Sequence, residues 1–153
     1  MLAIGADHGG YLLKEEVKKY LTQRGVKFYD FGTFSEESVD YPQIAAKVAH
    51  AVANGEYERG LLFCGTGIGI SIAANKVKGI RAAVCSDEFS AEYCRRHNNA
   101  NIFCLGGRVV KPAQAIKLVG IYLDTPFEGG RHERRVAEIT AIQSFCRVAY
   151  WQC

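Results

Sequence analysis

Short apolar runs alternate along the chain with stretches in which apolar residues recur every three or four positions. Five runs have the composition of β-strands, at residues 2–6, 26–31, 60–64, 82–85 and 102–105. Most of them are nearly continuous in apolar residues, without a polar residue at every second position. This pattern predicts strands that are covered on both faces of a sheet.

The segments between these runs have the pattern of amphipathic helices. In the first, one apolar stripe is formed by Leu13, Val17, Tyr20 and Leu21,. The charged positions between them, which we expect to face water, are Lys14, Glu15, Lys18 and Lys19. Gly25 follows as a C-terminal cap, and Pro42 opens the second helix, where a proline costs no hydrogen bond. Further helices are predicted near residues 68–76, 87–96, 112–123 and 131–150.

Five strands that alternate with helices predict a single doubly wound, Rossmann-like α/β domain over residues 1–153. Its five-stranded, mainly parallel sheet would carry helices on both faces and a long C-terminal helix, because parallel neighbours need crossover connections. Ligands of such sheets bind beyond the carboxyl ends of the strands. We therefore expect functional residues to follow strands, however far apart they lie in the sequence.

Composition narrows the function classes. The 153 residues are 48% apolar and 23% charged, which is typical of a globular chain,. No apolar run reaches the roughly 18 residues that span a bilayer. The acidic Asp7 near the start argues against a signal peptide. We therefore expect a cytoplasmic protein without membrane contact. A net charge of +3 suits a small anionic ligand but not a nucleic-acid surface,.

The six cysteines contain no CxxC pair, which favours reduced thiols over a disulfide framework,. Neither these cysteines nor the four histidines recur at the spacing of zinc ligands. The sequence therefore predicts no metal site.

The glycine-rich segment CGTGIG, which begins at Cys64, follows the third strand. Ile70 stands where a dinucleotide fingerprint needs glycine and where a phosphatase-type loop needs arginine, and no Walker lysine is present,. What remains is a loop whose N–H groups can bind an oxyanion and whose field favours a thiolate at Cys64. The alternative is that Cys64 is a small core residue, but the loop behind it favours the reactive interpretation.

Three other features allow two interpretations each. Asp7 and His8 can form an acid–base pair, or Asp7 can cap a helix. His97 lies where a helix ends, and an exposed histidine is also stabilised there.

The third feature is a group of arginines in the first turn of the last helix: Arg131, Arg134 and Arg135. Cations are disfavoured at this end of a helix. A role in binding phosphate would explain arginines at this position, and Arg108 would add a further guanidinium. The alternative is that these arginines pair with Glu138 on the surface.

Several of these motifs occur together and in order: Asp7-His8-Gly9-Gly10, CGTGIG, Ala73-Ala74-Asn75-Lys76, His97-Asn98 and Gly129-Gly130-Arg131-His132. On this set the chain resembles the type B ribose-5-phosphate isomerases, whose wider family includes allose-6-phosphate and galactose-6-phosphate isomerases. The resemblance runs from Met1 to about residue 142, and residues 144–153 lie outside it.

The resemblance implies an aldose–ketose isomerase that acts through an enediolate and needs no cofactor. It implies catalytic roles for Cys64 as the base, His97, Asp7 and Thr66. It implies substrate contacts from His8, Tyr41, Gly65, Gly67, Ile68, Gly69, Asn98, Arg108, Arg131 and Arg135. One branch of the family uses a glutamate as base where this chain has Ile70, so the cysteine branch is the one resembled. It further implies a homodimer or tetramer with the active site near the subunit interface.

Three alternatives stay open at this point. A six-carbon sugar phosphate could replace the five-carbon one, and the same fold could sense a sugar phosphate without converting it. A nicotinamide oxidoreductase is the weakest alternative, because the dinucleotide fingerprint fails.

Overall fold

The computed structural model describes residues 1–145, in which strands and helices alternate. The strands are β1 Leu2–Ala6, β2 Phe28–Asp30, β3 Arg59–Cys64, β4 Ala82–Val84 and β5 Ile102–Gly106. The helices are α1 Tyr11–Gln23, α2 Tyr41–Ala53, α3 Ile68–Ala74, α4 Glu88–Arg96, α5 Pro112–Asp124 and α6 Arg131–Phe145. The predicted doubly wound α/β fold is confirmed.

All strand pairs are parallel, in the order β2-β1-β3-β5-β4. The chain leaves β1 toward β2 and then crosses to β3 on the other side, so the winding direction changes between β1 and β3. The register places Ala6 beside Phe63 and Cys64 beside Gly106. The crevice in which this fold class binds ligands therefore lies at the ends of β1, β3 and β5.

Apolar side chains cover both faces of the sheet. One cluster packs α1, α4 and α5 against it through residues such as Val17, Phe103 and Tyr122. The other packs α2 and α3 through residues such as Val48 and Ile70. Every residue of β1 and β5 is buried, which explains why these strands lack a polar alternation,.

The helix boundaries follow the predicted signals closely. Pro42 lies in the first turn of α2, and Gly25 follows α1 with a φ of +68°, a conformation that favours glycine,. The part of the predicted last helix beyond Phe145 lies outside the described residues. Within residues 1–145, no helix is both long enough and apolar enough to cross a membrane.

The expectation that Lys14 faces water is wrong. Its side chain is fully buried, and Nζ donates to both carboxylate oxygens of Asp30, at 2.8 and 2.7 Å, and to the carbonyl of Thr33 at 2.6 Å. The end of β2 and the segment that follows it supply these acceptors. Lys18 also pairs with Asp30, at 2.9 Å. These contacts anchor the segment between β2 and α2, which borders the carboxyl edge of the sheet.

Candidate active site

Glycine residues let the ends of the central strands approach each other at the carboxyl edge. A Cβ atom at Gly9 would lie 2.9 Å from the backbone nitrogen of Gly65, and a Cβ atom at Gly106 would lie 2.6 Å from the carbonyl carbon of Thr66. Only residues without side chains fit at these contacts. The segments after β1, β3 and β5 therefore meet in one compact set of loops.

Cys64 is the last residue of β3, and its side chain is only 4% exposed. The backbone N–H of Gly67 donates to its Sγ over 3.1 Å. Gly67 precedes α3 with a φ of +79°, a left-handed conformation that favours glycine and turns the chain from this hydrogen bond into α3,. A donor so directed stabilises negative charge on sulfur. The burial itself fits a core cysteine as well as a reactive one.

The remainder of this loop presents polar groups beside an aromatic ring. Thr66 is exposed, and its Oγ1 accepts from the backbone N–H of Ile68 at 3.3 Å. A Cβ atom at Gly69 would lie 2.8 Å from the ring carbon Cζ of Tyr41. The Tyr41 ring thus lies against the first turn of α3, where it can border a bound sugar.

Asp7 and His8 follow β1 and bind different partners. Oδ1 of the buried Asp7 accepts from the backbone N–H of Gly10, the residue before α1, at 3.0 Å. Nδ1 of His8 accepts from the backbone N–H of Val39 at 3.3 Å. Asp7 therefore closes the turn between β1 and α1, but it does not cap that helix, because the N-cap residue is Gly10 and no side chain within residues 1–145 accepts from the first turn. His8 is fixed by the segment that Lys14 anchors.

A cavity of about 330 Å³ opens beside these residues, lined by His8, Gly9, Leu12, Leu13, Glu36, Gly107 and Arg108. The side chain of Arg108 lies against Gly65, since a Cβ atom there would be 3.5 Å from Cδ, Nε and Cζ. Its backbone N–H donates to the Gly65 carbonyl at 2.9 Å. An imidazole and a guanidinium that face one cavity form an anion site, although the Glu36 carboxylate at its rim opposes this charge.

The other predicted site residues lie at the opposite edge of the sheet. His97 ends α4, and the carbonyl of the following Asn98 accepts from Arg81 at 3.1 Å, just before β4 begins. Cys64 lies at the far end of the strands, level with Gly106. Within one chain, the length of β5, roughly 13 Å, separates these two edges of the sheet,.

The second group of predicted site residues does not follow strands of the sheet and comprises His97, Asn98, Arg131 and Arg135. The physical reason is that α4 and α5 return the chain to the amino edge of the sheet. One chain brings together the residues after β1, β3 and β5 and does not bring this group to them.

At the amino edge, two imidazole rings stack. The centroids of His97 and His132 lie 3.9 Å apart with an angle of 11° between the ring planes. Oε2 of Glu128 lies 3.7 Å from Nε2 of His97 and 3.6 Å from Nε2 of His132, and its other oxygen pairs with Arg96. The motif that contains His132 is visible in the sequence, but no spacing rule predicts that its ring stacks on His97, which lies far from it along the chain.

This cluster also tests the prediction that no metal site exists. Ligand atoms of His97, Glu128 and His132 lie within 4.8 Å of one another, an arrangement that a search by spacing could not detect. Burial lowers the pKa of His132, and the charges of His97 and Arg131 lower it further. The nearby guanidiniums of Arg96 and Arg131 oppose a dication,.

The three arginines of α6 divide into two groups. Arg134 pairs with Glu138 at 3.4 Å on the exposed surface, as the surface alternative requires. Arg131 and Arg135 are exposed and lie four residues apart on one face of the helix,. Nε of Arg131 donates to Nε2 of His132 at 3.4 Å, which ties this face to the stacked imidazoles.

Comparison with known proteins places these features in context. Residues 2–139 match the family described as Ribose/Galactose Isomerase. The chain is 51% identical to ribose-5-phosphate isomerase B of Escherichia coli strain K12, over 93% of this chain and 95% of that protein. It is 45% identical to D-erythrulose-4-phosphate isomerase of Pectobacterium atrosepticum, over 90% and 91% of the two chains. The solved structure of Clostridium thermocellum ribose-5-phosphate isomerase B superimposes with a TM-score of 0.93 at 52% identity, covering 95% of this chain and 98% of that one.

Proposed function

The chain belongs to the ribose/galactose isomerase family, and we propose that it interconverts ribose 5-phosphate and ribulose 5-phosphate. Relatives that match nearly its whole length at about half identity carry the name ribose-5-phosphate isomerase B. The observation that carries the mechanism is the Cys64 sulfur, which accepts the Gly67 N–H at the edge of the sheet where His8 and Arg108 line a cavity.

Isomerisation needs one base and a stabilised oxyanion. The Cys64 thiolate takes the proton from C2 of the open-chain aldose, and the electron pair of that C–H bond forms the C1–C2 double bond while the carbonyl oxygen becomes an oxyanion. N–H groups of the loop, with Thr66, stabilise this enediolate. The hydroxyl proton of O2 moves to O1, and the thiol returns its proton to C1 to give the ketose. Acid–base catalysis of this kind contributes about 10²–10⁴-fold.

The substrate must first open its ring. His97 donates a proton to the ring oxygen while Asp7 accepts the proton of the anomeric hydroxyl, and the bond between C1 and the ring oxygen breaks to give the aldehyde. Asn98 contacts the intermediate, and Tyr41 borders the sugar. These groups carry protons only, so the reaction as proposed uses no redox cofactor.

The phosphate is held by cationic side chains at a distance from the sulfur. His8 and Arg108 face the cavity of about 330 Å³, and Arg131 and Arg135 complete the clamp. Guanidiniums bind phosphate with paired hydrogen bonds. Holding the phosphate orients the carbon chain toward Cys64, which is a positioning contribution to rate.

We infer a homodimer, because one chain leaves the two groups of residues at opposite edges of its sheet. A second copy would bring His97, Asn98, Arg131 and Arg135 to the Cys64 of its partner. Apolar side chains exposed on α3 and α6 support an interface there: Ile68 54%, Ile72 55%, Ile139 42% and Ile142 64%. A tetramer would pair two such dimers. A cytoplasmic location is part of the proposal, since free thiols such as Cys85 suit a reducing compartment,.

An isomerase assay tests this function directly. The purified full chain is offered ribose 5-phosphate, allose 6-phosphate, galactose 6-phosphate and D-erythrulose 4-phosphate without added metal. We expect the highest kcat/KM for ribose 5-phosphate. Binding without conversion of any substrate would instead identify a sensing module, and a clear preference for a six-carbon substrate would replace the proposed one.

A further inference from the structure

We propose that Glu128 is a positioning residue for ring opening, because it holds the imidazole of His97 in its working orientation. This inference rests on the proposed function, in which His97 delivers the proton to the ring oxygen. Neither the motifs nor the spacing of the sequence points to Glu128.

The carboxylate of Glu128 is itself fixed from two sides. Its Oε1 accepts from Nε of Arg96 at 2.5 Å and also pairs with Nη2 of that guanidinium. Its backbone N–H donates to the carbonyl of Arg96 at 3.1 Å. Arg96 is held in turn by Glu92, whose Oε1 lies 2.7 Å from Nη1. The segment before α6 is thereby fastened to the end of α4, where His97 lies.

The second carboxylate oxygen faces the His97 ring. Oε2 lies 3.7 Å from Nε2 of His97, while His132 stacks on one face of that ring and Tyr93 meets it edge-on at 4.6 Å between centroids. The neighbouring aromatic rings limit how the imidazole can tilt, but neither of them distinguishes its two nitrogens. A carboxylate beside Nε2 does so, because it attracts the N–H edge of the ring.

The charges favour the same role. Hydrogen bonds from Arg96 lower the pKa of Glu128, with further contributions from the charges of Arg96, His97 and His132, so the carboxylate is ionised at neutral pH. Its negative charge offsets the positive charges of Arg96 and Arg131 around His97. Without it, no ion pair to His97 would remain within residues 1–145, and the imidazole would lie beside the guanidiniums of Arg96 and Arg131.

A double-mutant cycle separates positioning from a general structural role. In the wild-type background, Glu128→Gln is expected to lower kcat for ribose 5-phosphate about 10- to 100-fold with KM changed less than about threefold, as befits part of an acid–base contribution. In the His97→Asn background, the same substitution should change kcat less than about twofold. Glu128→Asp, which keeps the charge, should restore part of the lost kcat.

A matched control accompanies the cycle. Glu133→Gln removes a carboxylate from the first turn of α6, which follows Glu128 in the chain. It should leave kcat within about twofold of wild type, because this carboxylate takes no part in the contacts among Glu128, Arg96 and His97.

The outcomes distinguish this inference from the function on which it rests. If the wild type does not isomerise ribose 5-phosphate, or if His97→Asn keeps full kcat, the proposed mechanism fails. If both of those results are as expected, the positioning role is overturned by a Glu128→Gln variant within threefold of wild type, or by one that loses kcat equally in both backgrounds.

Discussion

The backbone N–H of Gly67 donates a hydrogen bond to Sγ of Cys64 over 3.1 Å. This contact joins the last residue of a buried strand to the residue of the glycine-rich loop that precedes α3. Because Gly67 has a φ of +79°, the loop that carries this N–H depends on a backbone conformation that side chains disfavour,. The chemistry of the sulfur and the shape of the loop are therefore expected to change together.

Gly67→Ala tests this dependence. The new Cβ would meet Cγ2 of Val84 at 2.8 Å and the carbonyl carbon of Leu105 at 3.0 Å in addition to the unfavourable φ. We expect a loss of about 1–3 kcal/mol in the free energy of unfolding and a fall in kcat of at least about tenfold, measured by denaturation and by the isomerase assay.

Gly55→Ala is its control. Gly55 has a similar φ of +77°, but nothing lies within 4 Å of a Cβ atom there. The Gly55→Ala variant should lose stability through its unfavourable φ but leave kcat unchanged. If both variants had the same kcat, Gly67 would have no role in the reaction.

The cationic side chains should affect affinity more than turnover. Arg108→Ala and Arg135→Ala each remove a charged donor worth about 1.5–3 kcal/mol, so KM for ribose 5-phosphate should rise roughly 10- to 100-fold. Arg134→Ala is the matched control, since Arg134 pairs with Glu138 on the surface, and its KM should stay within about twofold. If the KM of Arg135→Ala also stayed within about twofold, Arg135 would be a surface residue that does not bind the phosphate.

Mixing two inactive variants tests the shared site. In a dimer formed by one Cys64→Ala chain and one His97→Asn chain, one of the two sites keeps both wild-type residues and the other has neither. Random exchange makes about half of the dimers mixed, so about one quarter of wild-type activity should return. Mixing Cys64→Ala with Cys64→Ser should restore none. If the first mixture also stayed inactive after verified exchange, each site would be built from one chain.

The buried pair of Lys14 and Asp30 predicts a pH-dependent stability. Burial opposes ionisation of Asp30, but hydrogen bonds from Lys14, Lys18 and Gly32 outweigh it and lower its pKa. A group whose folded-state pKa lies below its unfolded value of about 3.9 stabilises the fold above that pH and loses the contribution as pH falls through the folded-state pKa.

Asp30→Asn should accordingly reduce the free energy of unfolding by about 3–5 kcal/mol at neutral pH, because it leaves a buried lysine without its counter-ion. The difference from wild type should shrink in strong acid. Asp124→Asn breaks an exposed pair with Arg24 and should cost less than about 1 kcal/mol,. A constant difference from neutral pH to about pH 2, measured by chemical denaturation, would contradict the assignment.

Much of the fold follows from local patterns. The predicted first strand has the bounds of β1, and Pro42 and Gly25 lie where helix-start and helix-end signals belong. These features are determined by neighbouring residues, since continuous apolar runs and special backbone angles act over a few positions. The glycine-rich loop after Cys64 was recognisable for the same reason.

The contacts that could not be predicted join residues far apart in the sequence. Lys14 occupies a charged position of an amphipathic helix, and only the later segment with Asp30 and Thr33 buries it. His97 and His132 stack although they lie on different helices. The rule that ligands bind after strands locates the residues near Cys64, but it does not predict where His97 and Asn98 lie, at the opposite edge of the sheet.

The central claim is that the Cys64 thiolate carries the proton between C2 and C1, and Cys64→Ala tests it most directly. Because Cys64 is a small, 4% exposed residue at a strand end, the variant is expected to fold and to bind ribose 5-phosphate.

The measurement is turnover in deuterated water, with incorporation of deuterium at C1 of ribulose 5-phosphate followed alongside product formation. Because the thiol returns to C1 the proton that it took from C2, the account predicts that wild type keeps part of the C2 hydrogen at C1 in place of solvent deuterium. It also predicts that Cys64→Ala loses at least about 100-fold in turnover with bound substrate retained. A Cys64→Ala enzyme that converts substrate within threefold of wild type would contradict it.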